Sequence, residues 1–365
     1  MSLGHEVYVI TSDRYGPEIS NDDNIKSSSY ERIVTKGFLI EEGFTIWRLP
    51  IRFEISNQLW LIGLEQKIVE LKPDLIIVHG IFRITTIRVA RLKKRYGNFK
   101  LICDEHTIST GSLSKLRIMY PIFKKLFSNL VRESSDSLVA VSNESKIFIH
   151  RKGGIPLHDI KVIPLGADHI LFHRDIQARQ EIRTQLAFNN EVIFINTGKI
   201  NKIKGVNLLI EAVAKLATKH NDFKILILGK GDKSYIEELE NNIKSQKLDK
   251  YFTWHGLVPN NELYRYYSAA DVAVWPRQAT ISTLEAMSCS LPVIVSDVPV
   301  AAERVSFDNG LIVKNSNSQE LSEHMEFLLI NNEIRKEMGE NSRRAIEEKL
   351  NWKTISKQFL SLVEE

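Results

Sequence analysis

The sequence predicts an α/β protein made of two parallel, doubly wound domains. Three observations carry that reading. Apolar, β-branched runs alternate with helix-length amphipathic stretches along nearly the whole chain. The runs are almost continuously apolar, as strands buried on both faces are. And 365 residues are enough for two domains with a core each.

In the first half the strand-like runs are EVYVIT (6–11), FTIWRL (44–49), DLIIVHG (74–80), KLICDEH (100–106), SLVAVS (137–142) and IKVIP (160–164). Between the second and third, QLWLIGLEQKIVELK has apolar residues at helical spacing and stops before Pro73, which predicts a helix over 58–72. The second half repeats the rhythm with VIFINTG (192–198), KILILG (224–229), YFTWHG (251–256), DVAVW (271–275), PVIVS (292–296) and GLIV (310–313). Helices fit over 205–219, 234–247, 260–269 and 282–289. The polar, strand-poor stretch HRDIQARQEIRTQLAFNNE sets the boundary near 170–190, giving domains over 1–170 and 171–345, with a short helix in the stretch itself. A helical tail over 346–365 carries Trp352, Ile355, Phe359 and Leu362 as one apolar stripe that must dock.

Composition excludes several classes. With 43% hydrophobic and 26% charged residues, 18 Gly and 10 Pro, the chain is neither collagenous nor disordered. Cys103 and Cys289 are too few and too far apart for a disulfide framework and read as buried thiols in a reducing compartment. No apolar run reaches the ~18 residues of a membrane helix and no signal pattern opens the chain, so the expectation is a cytoplasmic protein. No Cys/His cluster has metal-ligand spacing and no D-x-D pair stands at a strand end, so no metal site is expected. The net charge of +4 is unevenly spread: from Arg83 to Arg132 there are 12 basic residues against Asp104 and Glu105.

Three strand ends of the second half carry chemistry. T-G-K-I-N-K-I-K-G-V (197–206) leads from a strand into a helix, where a glycine turn offers free backbone N–H groups to an anion. Lys199, Lys202 and Lys204 add positive charge, so a phosphate or diphosphate is the natural ligand; a solvated basic loop capped by Gly205 is the alternative. L-G-K-G-D (228–232) places Gly229 and Gly231 at the next strand end, either for close backbone approach to a ligand or for a tight turn. In W-P-R-Q-A-T-I-S-T-L-E-A-M (275–287), Glu285 sits in the first turn of a helix, where its carboxylate can accept two ribose hydroxyls. Ser282-x-x-Glu285 is equally a capping box, which would satisfy Glu285 on its own helix.

With these blocks in place, the chain resembles the family 4 glycosyltransferases, a retaining group with the GT-B fold. The resemblance runs from Gly4 to the C-terminus; TGKINKIKGVNLLIEA and LEAMSCSLPVIVSD are its specific blocks, with GHEVYVIT, KPDLIIVHG, SLVAVSNES, KVIPLGAD, LILGKG, WHGLVPNNELYRYYSAADV and NWKTISKQF in family order. It implies two Rossmann-like domains facing across a cleft, with the C-terminal helix crossing back to the first. It also implies transfer of a sugar from a nucleotide diphosphate donor to an acceptor hydroxyl with retention, without cofactor or metal. Lys199 (Arg in most of the family) and Lys204 would then hold the donor diphosphate and stabilise the leaving group. Gly198, Gly229 and Gly231 would border the donor, and Glu285 would bind its ribose. Thr280, Ile281 and Ser282 match the loop whose backbone meets the phosphates. Gly256, Leu257 and Val258 match the segment lining the base pocket, and His106 matches a histidine near the transferred sugar and the acceptor.

The chain departs from the family pattern in three places. Arg277 stands where the motif has its first Glu, and Leu165-Gly166 where Asn-Gly is usual. The chain also opens at Gly4-His5-Glu6-Val7, which in the family follows a strand, a glycine-rich loop and a helix. The expectation is therefore that one βα unit, roughly 25 to 30 residues, is lacking through a truncated frame, or that another segment fills its place. Its loss leaves a doubly wound sheet unpaired in the middle. On the acceptor side, residues 83–132, with SLSKLRIMYPIFKKLFSNLVR (112–132) interleaving basic residues with Ile118, Phe123, Phe127 and Leu130, fit either an electropositive surface for an anionic membrane or lipid-linked acceptor, or a core-packing helix pair with a solvated face. No nucleic-acid module is recognisable. Two other readings use the same cradle: a catalytically degenerate nucleotide-sugar-binding subunit, and a GT-B nucleotide-sugar 2-epimerase.

Overall fold

The computed structural model describes residues 3–14, 37–41, 44–55, 58–107, 119–278, 280–314 and 317–364. The chain divides into two compact units, Met1–Ile163 with Phe359–Glu365, and Pro164–Gln358.

In the first unit β1 (Tyr8–Ser12), β2 (Gly37–Glu41) and β3 (Phe44–Leu49) form one sheet, in which β3 pairs parallel with β1 and antiparallel with β2. An antiparallel ribbon joins β4 (Ile51–Ile55) to β5 (Gln58–Leu61). Four parallel strands follow in spatial order: β6 (Leu75–His79), β7 (Lys100–Glu105), β8 (Ser137–Ala140) and β9 (Ile160–Val162). The expected helix over 58–72 is corrected to Leu64–Leu71. Its first residues are β5 instead, because Gly63 at φ 79° turns the chain between strand and helix, a conformation that suits glycine. Among the described residues β1 and β6 each have a strand neighbour on one side only. This unit is Rossmann-like but its sheet is divided, and Tyr8, Val9 and Ile77 on the two open strands are exposed.

The second unit holds one six-stranded, all-parallel sheet: β10 (Val192–Thr197), β11 (Phe223–Leu228), β12 (Phe252–His255), β13 (Val272–Trp275), β14 (Val293–Ser296) and β15 (Gly310–Val313). Their spatial order is β12-β11-β10-β13-β14-β15, the doubly wound arrangement with its switch point between β10 and β13. Alternation along each strand feeds two cores. Ile193, Ile195, Leu226, Leu228, Ala273, Trp275, Val293 and Val295 pack on one face; Phe194, Ile225, Ile227, Val272, Val274 and Ile294 pack on the other. The polar linker contains the short helix Ile176–Gln185, capped by Asp175, whose side chain accepts the Ala178 N–H. In the last helix, Trp352–Glu364, Ile355 is buried while Trp352 at the head of the expected stripe is exposed.

One ion-pair network fixes the amino ends of the two central strands. Asp271 pairs with Arg179 at 2.8 Å and with Arg183 at 3.4 Å, and accepts the Ile193 N–H at the start of β10. Arg179 also donates to the carbonyls of Ser268, Ala269 and Ala270. Asp271→Ala leaves two guanidinium groups without their carboxylate. It should lower stability by about 3 kcal/mol in urea denaturation, since removing one partner of a shielded pair strands the other. A loss under about 1 kcal/mol, the scale of an exposed pair, would contradict this account.

Candidate functional site

The site grows from the switch point. Across it, Asn196 donates to the Val274 carbonyl at 2.6 Å, Trp275 Nε1 donates to the Thr197 carbonyl at 3.0 Å, and Thr197 Oγ1 meets the Tyr267 hydroxyl at 2.9 Å. The carboxyl ends of β10 and β13, and the loops that leave them, are therefore held side by side. The loop after β10 bonds to the loop after β11 through Gly198 N to the Leu228 carbonyl and Ile200 N to the Lys230 carbonyl. A Cβ on Gly229 would lie 1.9 Å from the Gly198 carbonyl oxygen, and one on Gly231 2.1 Å from that of Ile200. The space these two glycines leave is thus filled by neighbouring backbone. At Gly198 a Cβ would meet nothing within 4 Å.

The three lysines of the first loop separate. Lys199 is exposed. Lys202 turns to Glu238 at 3.8 Å and lies over Tyr235. Lys204 is half-buried, with Nζ 3.4 Å from the Gln278 carbonyl, at the start of the helix Val206–Leu216, which is capped by Gly205 in a left-handed conformation (φ 78°). Beside it stands Arg304, which follows the helix Pro299–Glu303 and donates to the Thr280 carbonyl. Neither cation has a carboxylate at ion-pair distance among the described residues. Burial, reinforced by the neighbouring Arg304, pulls the Lys204 pKa down to about 8. Burial likewise lowers that of Arg304, to about 10. Two like charges share a shielded place beside two helix starts, an arrangement that an anion completes. Arg277 closes the other side: it donates to the Lys202 carbonyl at 3.2 Å, and its side chain occupies the space a Cβ on Gly205 would need.

Glu285 resolves the choice between cap and ligand group. The helix is Ser282–Ser288 with Ile281 at the N-cap and no side-chain cap. Ser282 is therefore one residue inside it, and its hydroxyl meets Thr280 Oγ1 at 2.6 Å. The buried Glu285 carboxylate takes one donor among the described residues, Asn260 Nδ2 at 3.1 Å. Burial raises its pKa, with Asn260 opposing. Its remaining acceptor positions are available to hydroxyl donors. Thr280 is half-buried, Ile281 exposed and Ser282 buried at this loop. After β12, Gly256 and Leu257 are exposed, while the Val258 side chain enters the core. Next to them His255 accepts or donates at Nε2 with Tyr266 at 3.0 Å, and its buried Nδ1 has no partner among the described residues.

The first unit holds a separate polar cluster. His106 Nε2 lies 3.3 Å from Asp104 Oδ2, and His79 Nδ1 lies 2.8 Å from the same oxygen. The carboxylate beside it raises the His79 pKa, burial opposing. In the basic stretch, Arg88 pairs with Glu65, Lys93 and Lys100 with Asp136, and Arg132 with Asp159. These three carboxylates lie outside 83–132, so the local excess of charge is smaller than the sequence window suggests. Phe123 is buried and Phe127 and Leu130 pack against the core, whereas Ile122, Leu126, Lys124 and Lys125 face solvent. Residues 108–118, including Ile118, lie outside the described residues. Both cysteines are buried thiols; burial pushes Cys103 up to about 12 and Cys289 higher.

Of the residues singled out in the sequence, the structure brings Lys204, Gly205 and Glu285 to one sheet edge; beside them it sets Arg304 and Asn260, and beside His106 it sets His79 and Asp104, which the sequence reading did not name as site residues. No motif spacing marks these four, because strand order and register bring them into place.

Two Rossmann-like units, the second with a cationic switch-point site, define the GT-B class of proteins. Residues 1–170 match the Glycosyltransferase Family 4 model and residues 178–345 match Glycosyl transferases group 1. The chain belongs to this glycosyltransferase family. It is 26% identical to the alpha-monoglucosyldiacylglycerol synthase of Acholeplasma laidlawii over 93% of this chain and 84% of that one. An uncharacterized glycosyltransferase of Methanocaldococcus jannaschii is 25% identical over 98% and 89%. The spore coat protein SA of Bacillus subtilis is 28% identical, over 52% of each chain. Among solved structures, Anabaena HepE in complex with UDP has the same fold, with a TM-score of 0.75, 17% identity and coverage of 99% and 100%. Its complex with UDP-glucose superposes at 0.71, with 18% identity over 98% and 99%.

The uncompensated cation pair predicts opposite effects on stability and binding. Lys204→Met should stabilise the ligand-free protein by roughly 1 kcal/mol while weakening its affinity for inorganic pyrophosphate. The sign follows from the depressed pKa: between about 8 and the ordinary 10.5 the unfolded chain binds the proton and the folded chain does not. The stability gain is therefore largest below pH 8 and fades as pH rises toward 10.5. Equal melting temperatures for variant and parent at pH 7 would contradict the strain assigned to the pair.

Proposed function

We propose that the protein moves a sugar from a nucleotide diphosphate donor to an acceptor hydroxyl with retention of anomeric configuration. The observation that carries this reading is the shielded pair Lys204 and Arg304 at the switch point of the second unit, neither with a carboxylate at ion-pair distance among the described residues. The donor diphosphate lies between them, with the backbone of Thr280, Ile281 and Ser282 alongside and Lys199 reaching in from solvent. Glu285, held by Asn260, accepts hydroxyls of the donor ribose, and Gly256 and Leu257 flank the base. The cations stabilise negative charge that grows on the leaving diphosphate, which is electrostatic catalysis by preorganised groups. The side chains named here make no covalent bond to the sugar; the leaving phosphate assists removal of the acceptor proton. His106 serves the acceptor side from the first unit. No cofactor or metal takes part in this transfer.

The acceptor in this reading is a lipid-linked or polysaccharide hydroxyl, met at the inner face of a membrane. Exposed Lys124 and Lys125 beside Ile122 and Leu126 support it, as does the relative whose name gives a diacylglycerol product. One observation favours a second reading. Arg277, where the family has a carboxylate, is committed to the Lys202 carbonyl, so a donor sugar loses one hydroxyl acceptor and the chain could bind donor without turnover.

Melting-temperature shifts with UDP-, GDP-, ADP- and dTDP-sugars test the donor class, since a ligand of the folded state raises its stability. One nucleotide should raise the melting temperature, and Glu285→Ala and Lys204→Ala should remove both the shift and transfer. Wild-type rates in both variants would overturn the assignment, whereas binding without transfer in the parent selects the second reading. Linkage supplies a further expected outcome. Above pH 8 Lys204 is largely neutral in the free protein, and a bound diphosphate favours its charged form, so binding must take up a proton. Calorimetry in buffers of different ionisation enthalpy should show uptake at pH 9 and little at pH 7, with affinity falling across that interval. Lys204→Met should abolish the difference.

A further inference from the structure

The cluster at the carboxyl ends of β6 and β7 is not used by the donor site and has the composition of a metal centre. Register places His79 of β6 directly beside Asp104 of β7. His106 follows two residues after Asp104 and so returns to the same side of the chain, while Glu105 points the other way and is taken up by Ile81 N, Thr107 N and Thr107 Oγ1. His79 Nδ1, Asp104 Oδ2 and His106 Nε2 all lie within 4.8 Å of one another. The two imidazole planes stand at 90° with centroids 5.7 Å apart, so their nitrogens converge on one carboxylate from different directions.

We propose that His79, Asp104 and His106 form a binding site for a divalent transition metal, with zinc as its ligand ion. Two imidazoles and a carboxylate are a donor set that zinc accepts at about 2.0–2.2 Å per bond. Four-coordinate geometry with such bonds separates donors by roughly 3.3 Å. The Asp104–His106 distance is already 3.3 Å and the Asp104–His79 distance 2.8 Å, so closing the site needs a shift of the imidazoles alone. Asp104 is 2% exposed and provides a fixed anchor. The His79 and His106 side chains are 73% and 47% exposed and free to turn. The solvent side leaves a coordination position for water, the arrangement of an open rather than a structural site. Zinc would lie between Asp104 Oδ2 and the imidazole nitrogens that now hydrogen-bond to it, so occupancy ties down the His106 imidazole. The site shares His106 with the acceptor side of the proposed function, as an ion outside the transfer step itself; it stands on the geometry of the first unit and does not depend on the donor reading of the second.

The test uses the full, tag-free chain with the metal alone as probe. Calorimetric titration with Zn²⁺ should give one equivalent bound, and Co²⁺ should give visible d–d absorption that Zn²⁺ bleaches. His79→Ala and His106→Ala should each weaken Zn²⁺ at least tenfold while the chain stays folded, because each variant leaves Asp104 its other imidazole partner. Asp104→Asn should weaken it as strongly; if that buried change unfolds the protein, the two histidine variants still decide. Absence of Zn²⁺ binding, or binding unchanged in both histidine variants, would overturn the proposal.

Discussion

The seam between β10 and β13 is the constraint on which the second unit depends. These neighbours are 78 positions apart where Asn196 bonds the Val274 carbonyl and Trp275 bonds that of Thr197. At their amino ends Asp271 ties Ile193 to Arg179 and Arg183. A parallel pair of this kind has no short turn to set its register, so polar contacts at both ends do that work while the apolar middle supplies the burial. Lys204, Thr280 and Glu285 all follow the carboxyl ends of this pair, while Arg304 follows β14 and Asn260 follows β12. A slip of one residue would turn every alternating side chain to the opposite core and carry both loops out of step.

The same seam explains how two shielded cations persist side by side. Arg304 donates to the Thr280 carbonyl and Lys204 points at that of Gln278, so both ends of the β13 loop meet them with partial negative charge. Carbonyl dipoles reduce the penalty of burial without neutralising it, which is why the pKa of Lys204 still falls to about 8. Glu285 is the matching case of opposite sign, a buried carboxylate with one amide donor. Local rules of charge pairing are broken at these three residues and kept around them, which is the pattern expected where a fold is spent on binding.

How much was legible follows from the range over which each signal acts. Buried parallel strands announce themselves because each must be apolar on both faces, and the six runs of the second half became β10 to β15 with ends shifted by a residue. Gln58–Leu61 was misread because Leu59, Trp60 and Leu61 fit a helical stripe as well as a strand; Gly63 was the local sign of the break. Lys204 and Gly205 could be found because loop and helix start are contiguous. Arg304 could not, since strand order sets it beside a lysine a hundred positions away. The capping box fails by a single position: with Ile281 at the N-cap, the Glu285 N–H that Ser282 would have to accept is bonded to the Ile281 carbonyl. His79 and Asp104 met through strand register, which spacing along the chain does not encode.

Arg277 alters the chemistry of the cradle. Its side chain crosses Gly205 and donates to the Lys202 carbonyl, so it braces the loop that presents Lys204. A larger residue at position 205 would collide with it, and the left-handed backbone there already suits glycine. A glutamate at 277 would lose that brace, having no proton to donate, and would bring a negative charge beside the loop that presents Lys204. Arginine instead keeps the loop closed and the local charge positive. The brace and the anion site are therefore built from the same choice of residue. In the proposed reading, recognition of whatever the anion carries then falls to groups outside this loop, such as the hydrogen-bonded pair Glu285 and Asn260.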